Sequence, residues 1–184
     1  MFCIVQTIQH VLMAWIKQLT LLMICLASAG VKASYPAIFD EVGKSRGVSG
    51  AWLYAIALTE TNTKMNTGRM AVWPWVINHR GKAKYFHNEK QMCKAAYDIV
   101  RGGDELFDIG LMQLNWYWQK SRVDSLSDLC DVRNNINIAA DIFAEHYSKS
   151  KDPIKAAGAY HNPANAGGAA DRYMRRYTKH LRGL

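Results

Sequence analysis

Apolar residues recur at helical spacing along most of the chain after residue 34. The pattern predicts a first helix from about Tyr35 to Arg46, which Gly47 ends, and a second helix that begins at a Ser49 cap. The inward-facing positions of these two helices are Ile38, Phe39, Val42, Trp52, Leu53, Ala55, Ile56 and Leu58. Apolar residues at every third or fourth position are typical of helices that cover a core.

One proline and two glycines interrupt the helical spacing between residues 61 and 87. Two extended runs in this region, Val72 to Asn78 and Lys84 to His87, predict a β-hairpin that turns at residues 79–82. Helical spacing then returns, with Asn88 as the N-cap of a third helix that ends at Gly102. Further helices are predicted near Gly110 to Gln119, Val132 to Tyr147, Pro153 to Tyr160 and Ala169 to Leu181. The sequence therefore predicts a mainly α single domain with a small β-hairpin insertion.

The N-terminal segment differs in composition from the rest of the chain, because no Asp or Glu precedes Asp40. An apolar run from Leu19 to Ala29 follows Lys17. The run has about half of the ~20 residues that a membrane-spanning helix needs, and this layout is typical of a signal peptide.

Small residues favour cleavage of this leader after Ala29 or Ala33. We therefore expect residues 1–33 to be a signal peptide and residues 34–184 to be the exported domain, with a periplasmic location. Apolar residues from 11 to 15 lengthen the hydrophobic stretch, so an uncleaved leader that leaves the protein membrane-associated is the alternative.

The 151 residues after Ala33 suit one domain with a full core. They contain 21 Lys and Arg and 15 Asp and Glu, which gives a formal charge of +6. This charge is compatible with binding to an anionic cell-wall polymer, with binding to a nucleic acid, or with solubility alone. The polar side of the last predicted helix carries Arg172, Arg175, Arg176 and Lys179. Because no aromatic residues that could stack on bases lie among them, we expect no nucleic-acid partner.

Two of the four cysteines, Cys93 and Cys130, follow the predicted leader. In an oxidising compartment an even pair predicts a disulfide, and two buried free thiols are the alternative. The cysteines lack the neighbouring CxxC or His spacing of a zinc site, and the sequence has no HExxH motif. We therefore expect no metal and no cofactor.

A carboxylate prolongs the apolar stripe of the second predicted helix, because Trp52, Ile56 and Glu60 are spaced by four. A desolvated carboxyl group there would have a raised pKa, as an acid that must hold its proton near neutral pH requires. In the alternative, Glu60 points to solvent or pairs with Lys64.

Two further segments carry polar side chains that could contribute to a site. Gln113 and Asn115 lie in an apolar run that begins at Gly110, and neutral amides can hydrogen-bond the acetamido and hydroxyl groups of a sugar. Tyr160 and His161 close a predicted helix, where they could orient a carboxyl group. In the alternative, the side chains of Gln113 and Asn115 only cap local backbone groups, and Tyr160 and His161 only end a helix.

Three motifs together resemble the goose-lysozyme-like lytic transglycosylases, especially the small ones that accompany conjugation and type IV secretion systems. They are ALTETN from Ala57, GLMQLN from Gly110 and GAYHN from Gly158. The resemblance covers residues 35–184. It departs from the common pattern at two places, where Thr61 replaces the usual Ser after the Glu and His161 stands where an amide is common.

The resemblance implies a lysozyme-like α+β fold in which Glu60 is the catalytic acid and base. It also implies that Gln113 and the adjacent backbone at Met112 line the sugar cleft, and that Tyr160 hydrogen-bonds near Glu60. The other substrate-binding candidates are Thr61, Asn115, His161, Trp73 and Trp75. The two tryptophans lie in the predicted hairpin, where they either stack on sugar faces or fill the core.

The implied activity is cleavage of the β-1,4 bond between N-acetylmuramic acid (MurNAc) and N-acetylglucosamine (GlcNAc) in peptidoglycan, with a 1,6-anhydromuramyl product. The implied partners are glycan strands and a conjugation or secretion apparatus, and we expect a monomer. Two alternatives remain open: a hydrolytic lysozyme with Asp108 as a second carboxylate, and a non-catalytic peptidoglycan-binding assembly factor.

Overall fold

The computed structural model describes residues 35–64 and 70–184 of the chain. The predicted cleavage positions after Ala29 and Ala33 lie outside these residues. Within them, no helix has both the length and the apolar character that are needed to cross a membrane.

Helices form most of the described chain. In order they are α1 (Ile38–Ser45), α2 (Gly50–Thr61), α3 (Glu89–Arg101), α4 (Trp116–Gln119), α5 (Leu126–Cys130), α6 (Val132–Ser150), α7 (Pro153–His161) and α8 (Ala169–Arg182). Short 3-10 turns follow α4 at Lys120–Arg122 and precede α8 at Ala166–Gly168. The predicted cap of α3 is confirmed, because the Asn88 side chain accepts a hydrogen bond from the Gln91 amide.

The strands form two antiparallel sheets. They are β1 (Asn62–Lys64), β2 (Met70–Val72), β3 (Val76–His79), β4 (Lys82–Tyr85), β5 (Phe107–Ile109) and β6 (Leu114–Asn115). The first two strands pair with each other, and the other four form a sheet in the order β4-β3-β5-β6. The hairpin predicted to turn at residues 79–82 is confirmed as β3 and β4.

The helix predicted near Gly110 to Gln119 is wrong in its first half. Gly110 and Gln113 have φ angles of +82° and +48°, which a right-handed helix does not contain. Residues 110–113 instead form a turn that leads into β6, and only the short helix α4 follows. Leu111, Met112 and Leu114 are all buried, but they lie on a turn and a strand. Their apolar spacing therefore reflects burial and not a helix.

The core lies among α2, α6, α7 and α8, and its largest fully buried side chains include Tyr173, Tyr177, Phe143 and Leu53. Helix α8 packs against α2 and α7, and α7 packs against α6. On the other side, α3 contacts β3 and α5. The fold is mainly α with a small four-stranded antiparallel sheet, which agrees with the predicted lysozyme-like class. The last turn of α2 faces α8 and reaches β1, so it lies where the helical core meets the strands.

Candidate active site

Glu60 lies in the last turn of α2 and continues its buried side. Ile56, one turn earlier, is fully buried, and the ring of Trp52 packs 4.8 Å from that of Tyr147. The Glu60 side chain keeps only 15% of its surface exposed. The spacing by four therefore directs this carboxyl group toward the interior and not into bulk solvent.

Burial raises the pKa of the Glu60 carboxyl from 4.5 to about 8, because desolvation disfavours the charged form. The negative charge of Asp108 adds to this increase. The Tyr173 hydroxyl and the Arg176 guanidinium act in the opposite direction, because each favours a carboxylate. Desolvation is the largest effect, so Glu60 holds its proton at neutral pH.

Two aromatic rings border Glu60 from the C-terminal part of the chain. The His161 imidazole Nδ1 lies 4.0 Å from Glu60 Oε1, and its ring stacks on Tyr173 with 4.5 Å between centroids. Burial, followed by the charges of Arg176 and Arg172, lowers the pKa of His161, which favours the neutral ring. Among the described residues, the buried Tyr173 hydroxyl makes no hydrogen bond of good geometry. It is nevertheless near enough to Glu60 to lower the pKa of the Glu60 carboxyl.

Tyr160 joins this region to the turn at residues 110–113. Its hydroxyl donates a 2.8 Å hydrogen bond to the Met112 carbonyl. Its pKa is raised well above 10 by burial and then by the charges of Glu60 and Asp108, so the phenol stays protonated and remains a donor. The Met112 side chain is itself fully buried, and only the backbone of this residue makes the contact.

A buried asparagine of α6 holds the turn in place. Asn135 accepts a 2.8 Å hydrogen bond from the Met112 amide and donates to the Ile109 and Leu129 carbonyls. A Cβ atom on Gly110 would lie 2.4 Å from the Asn135 amide nitrogen, so only glycine allows this close approach. The glycine of the GLMQ segment is therefore required by packing as well as by its positive φ.

The Gln113 side chain is fixed by the backbone around it. Its amide nitrogen donates to the Gly110 carbonyl at 2.8 Å and to the Val76 carbonyl at 3.3 Å. Its amide oxygen accepts no hydrogen bond from the part of the chain that the structure describes. That oxygen is therefore an oriented acceptor that a sugar hydroxyl or N–H could satisfy.

Three polar residues form a row across the sheet. Asn78 of β3, Asp108 of β5 and Asn115 of β6 are direct partners in the strand register. The Asn115 amide donates a 2.9 Å hydrogen bond to Asp108. Burial raises the pKa of Asp108, and this hydrogen bond partly opposes the increase. Because the charge of Asp108 acts on both Glu60 and Tyr160, the row belongs to the same site.

A family model described as Transglycosylase SLT domain matches residues 37–182. The chain belongs to this family. The SLT domain is that of the lytic transglycosylases, which are glycosidic-bond lyases acting on peptidoglycan, so the protein is a lytic transglycosylase. No curated protein and no solved structure matches the chain significantly.

The structure of this SLT domain brings some of the sequence candidates together and leaves others apart. Thr61 is buried beside Glu60, where its hydroxyl donates to the Ala57 and Leu111 carbonyls and so ties α2 to the turn at residues 110–113. Trp73 and Trp75 pack edge to face at 5.8 Å, and Trp73 donates to the Phe86 carbonyl. Among the described residues, no hydrogen bond, ion pair or ring contact joins either tryptophan to Glu60.

The sequence did not single out four residues that shape the site of the SLT domain: Asn78, Asn135, Tyr173 and Arg176. Arg176 was expected only on the polar side of the last predicted helix, and Tyr173 was not among the candidate site residues. For Asn135, a polar residue beside the apolar positions of a predicted helix was the available signal. Asn78 gave no signal, because only the strand register aligns it with Asp108.

Proposed function

We propose that Glu60 is the one catalytic acid and base of this lytic transglycosylase, which cleaves the MurNAc–GlcNAc β-1,4 bond of peptidoglycan. The observation that carries the proposal is the buried Glu60 carboxyl, whose pKa of about 8 keeps it protonated in neutral solution. A general acid must hold its proton until the leaving oxygen needs it. In the first step Glu60 donates that proton to the glycosidic oxygen while the bond from this oxygen to the muramyl C1 breaks.

The second step returns the proton to Glu60. The muramyl 6-hydroxyl attacks C1, and the Glu60 carboxylate accepts the proton that this hydroxyl loses. The product is a 1,6-anhydromuramyl end, and no water is consumed. The oriented Gln113 amide oxygen and the Asn115 side chain are proposed as sugar-binding groups. Tyr160 holds the Met112 carbonyl and with it the turn that carries Gln113.

Product mass tests the reaction. Purified peptidoglycan sacculi digested by the protein should release muropeptides with anhydromuramyl ends, one water lighter than the products of hydrolysis. Glu60→Gln keeps the size and hydrogen-bonding capacity of the side chain but cannot donate the proton. It should lower the cleavage rate by roughly 10²- to 10⁴-fold. The matched control is Glu145→Gln on α6, a surface carboxylate that pairs with Arg122.

A hydrolytic lysozyme is the second candidate, because the structure places Asp108 within electrostatic reach of Glu60. Hydrolytic glycosidases use two carboxyl groups, one of which activates water or attacks the sugar. Reducing muramyl ends in place of anhydro ends would support this reading. A wild-type protein that binds sacculi but releases no soluble product would instead favour a non-catalytic assembly factor.

We further propose that the enzyme acts in the periplasm for a conjugation or secretion apparatus, as a monomer released from its leader after Ala29 or Ala33. The family supports a substrate in the cell wall, and the resemblance of the three motifs supports the apparatus. N-terminal sequencing of the protein from a periplasmic extract tests both cleavage positions. A protein that stays in the membrane fraction with an intact N-terminus would contradict the release.

A further inference from the structure

Arg176 of α8 is anchored at the border of the active site. Its guanidinium lies 5.6 Å from the centre of the Tyr173 ring, as in a cation–π contact. Tyr173 stacks on His161, which in turn lies 4.0 Å from Glu60. A short series of packed groups therefore connects the guanidinium to the catalytic carboxyl.

Arg176 is exposed, yet it forms no ion pair or hydrogen bond with the rest of the described chain. Other arginines with exposed side chains do form such pairs: Arg80 with Asp104, Arg122 with Glu145 and Arg133 with Glu41. An arginine held against an aromatic ring with its N–H groups unused is suited to bind an external carboxylate.

A second arginine lies on the same side of the site. Arg172, one turn earlier on α8, donates a 2.6 Å hydrogen bond to the Gly167 carbonyl. The charges of Arg176 and Arg172 both act on His161, and that of Arg176 also acts on Glu60. Positive charge from α8 therefore acts on both Glu60 and His161, and it would attract an anionic part of a substrate bound beside them.

The substrate carries carboxylates in one predictable place. MurNAc differs from GlcNAc by a lactyl arm on the 3-oxygen, and this arm ends in a carboxylate or in a peptide that has its own carboxylates. A muramyl residue in the site therefore brings an anion near the scissile bond, whereas a GlcNAc residue brings none.

We propose that Arg176, with Arg172 beside it, binds a carboxylate carried on the lactyl arm of a muramyl residue next to the scissile bond. The site would then distinguish muramyl-containing glycan from a GlcNAc polymer by charge. This inference rests on the proposed function, because it needs a glycan strand seated in front of Glu60.

Binding to the Glu60→Gln variant tests the inference without turnover. Dissociation constants are measured by titration calorimetry for three ligands: chitohexaose, which has no carboxylate, peptide-free MurNAc–GlcNAc oligomers with a free lactyl carboxylate, and peptide-bearing oligomers. Each ligand is titrated into the variant alone and with Arg176→Ala added. Arg175→Ala is the matched control, because it removes an adjacent exposed arginine of α8 that lines a different surface, beside Met174 and Arg182.

We expect Arg176→Ala to weaken the binding of a carboxylate-bearing oligomer by about three- to tenfold relative to its effect on chitohexaose, as for a partly exposed charged hydrogen bond. Arg175→Ala should leave this ratio unchanged. A loss confined to the peptide-free oligomer identifies the lactyl carboxylate, and a loss confined to the peptide-bearing oligomer identifies the stem peptide. Arg176→Lys should restore part of the preference, because it restores the charge.

Equal effects of Arg176→Ala on all three ligands, no effect, or no binding of any ligand would each overturn the inference. The proposed function has its own readout, which is the presence of anhydromuramyl ends in a wild-type digest. If the wild-type enzyme makes these ends but Arg176→Ala weakens all three ligands equally or not at all, the reaction is retained and the carboxylate site is rejected.

Discussion

A glutamic acid ordinarily loses its proton near pH 4.5, whereas burial at the end of α2 raises the pKa of Glu60 to about 8. The same side chain in solvent would be a carboxylate at neutral pH and could not act as an acid. The residues around it adjust this value in both directions, since Asp108 raises the pKa and Tyr173 and Arg176 lower it. The chemistry of residue 60 is therefore set by its neighbours.

The pH dependence of cleavage should follow the protonation of Glu60. Because the proposed acid is the neutral Glu60, kcat/KM should fall as pH rises through about 8, where Glu60 ionises. Asp108→Asn removes a negative charge that raises this pKa, so the decline should move to lower pH. Turbidity of sacculi followed across a pH series gives both curves. A decline that begins near pH 4.5 in the wild type would contradict the proposed acid.

The ionisation of Glu60 should also make the stability of the fold depend on pH. The folded pKa of Glu60 lies above its ordinary value of 4.5, so the folded state holds the proton more tightly than the unfolded state. Its contribution to stability is complete below pH 4.5 and is lost as pH rises to about 8. Glu60→Gln stays neutral throughout, so its stability relative to the wild type should increase by a few kcal/mol over this range.

Urea unfolding of both proteins near the two ends of this range measures that difference. Glu145→Gln, which removes an exposed carboxylate of α6, should show no such increase with pH. A constant difference between wild type and Glu60→Gln would indicate that Glu60 titrates as an ordinary surface group.

At the scale of elements, the turn at residues 110–113 depends on α6. The Asn135 side chain satisfies one amide and two carbonyls that are buried at the ends of β5, α5 and the turn itself. These groups have no access to water, so their hydrogen bonds depend on this single side chain. A residue with no proposed contact to the glycan therefore determines where Gln113 lies.

Asn135→Leu should lower the free energy of unfolding by more than about 3 kcal/mol, because each buried polar group left unpaired costs roughly 1 to 3 kcal/mol. Asn134→Leu is the matched control, because it makes the same change at an exposed neighbouring position of α6. Urea denaturation compares the two variants. Equal stabilities would mean that the turn does not depend on the Asn135 hydrogen bonds.

At the scale of the whole molecule, one covalent link joins α3 to α5. Cys93 and Cys130 form the predicted disulfide, with 5.6 Å between their Cα atoms and a sequence separation of 37. Helix α3 also packs on β3, so the link holds the sheet side of the protein to the segment that leads into α6.

Replacing both cysteines by serine should lower the free energy of unfolding by roughly 3 to 4 kcal/mol, by the chain-entropy model for a loop of this size. Thermal unfolding of the variant and of the reduced wild type should agree. Peptide mapping without reductant should recover the linked peptides from the oxidised protein, and two free thiols there would contradict the bond.

Local sequence determined much of the fold, because caps, glycines and apolar spacing act within one or two turns of the chain. The start of α2 and both ends of α3 follow from such signals. The helix predicted from Gly110 to Gln119 was wrong because apolar spacing is also a local signal, and it does not show which elements bury the residues. Its apolar residues are buried by distant elements, and the Met112 amide bonds to Asn135 and not to a preceding turn of helix.

By itself the sequence also determined which side of α2 carries Glu60, since a periodicity of 3.6 residues places Ile56 and Glu60 together. Only the tertiary structure decided what surrounds that carboxyl group. Tyr173, His161, Arg176 and Asp108 come from α8, the end of α7 and a central strand, and none is near Glu60 in the chain. Desolvation and charge act through space, so the pKa of about 8 arises only when the folded chain brings these groups together.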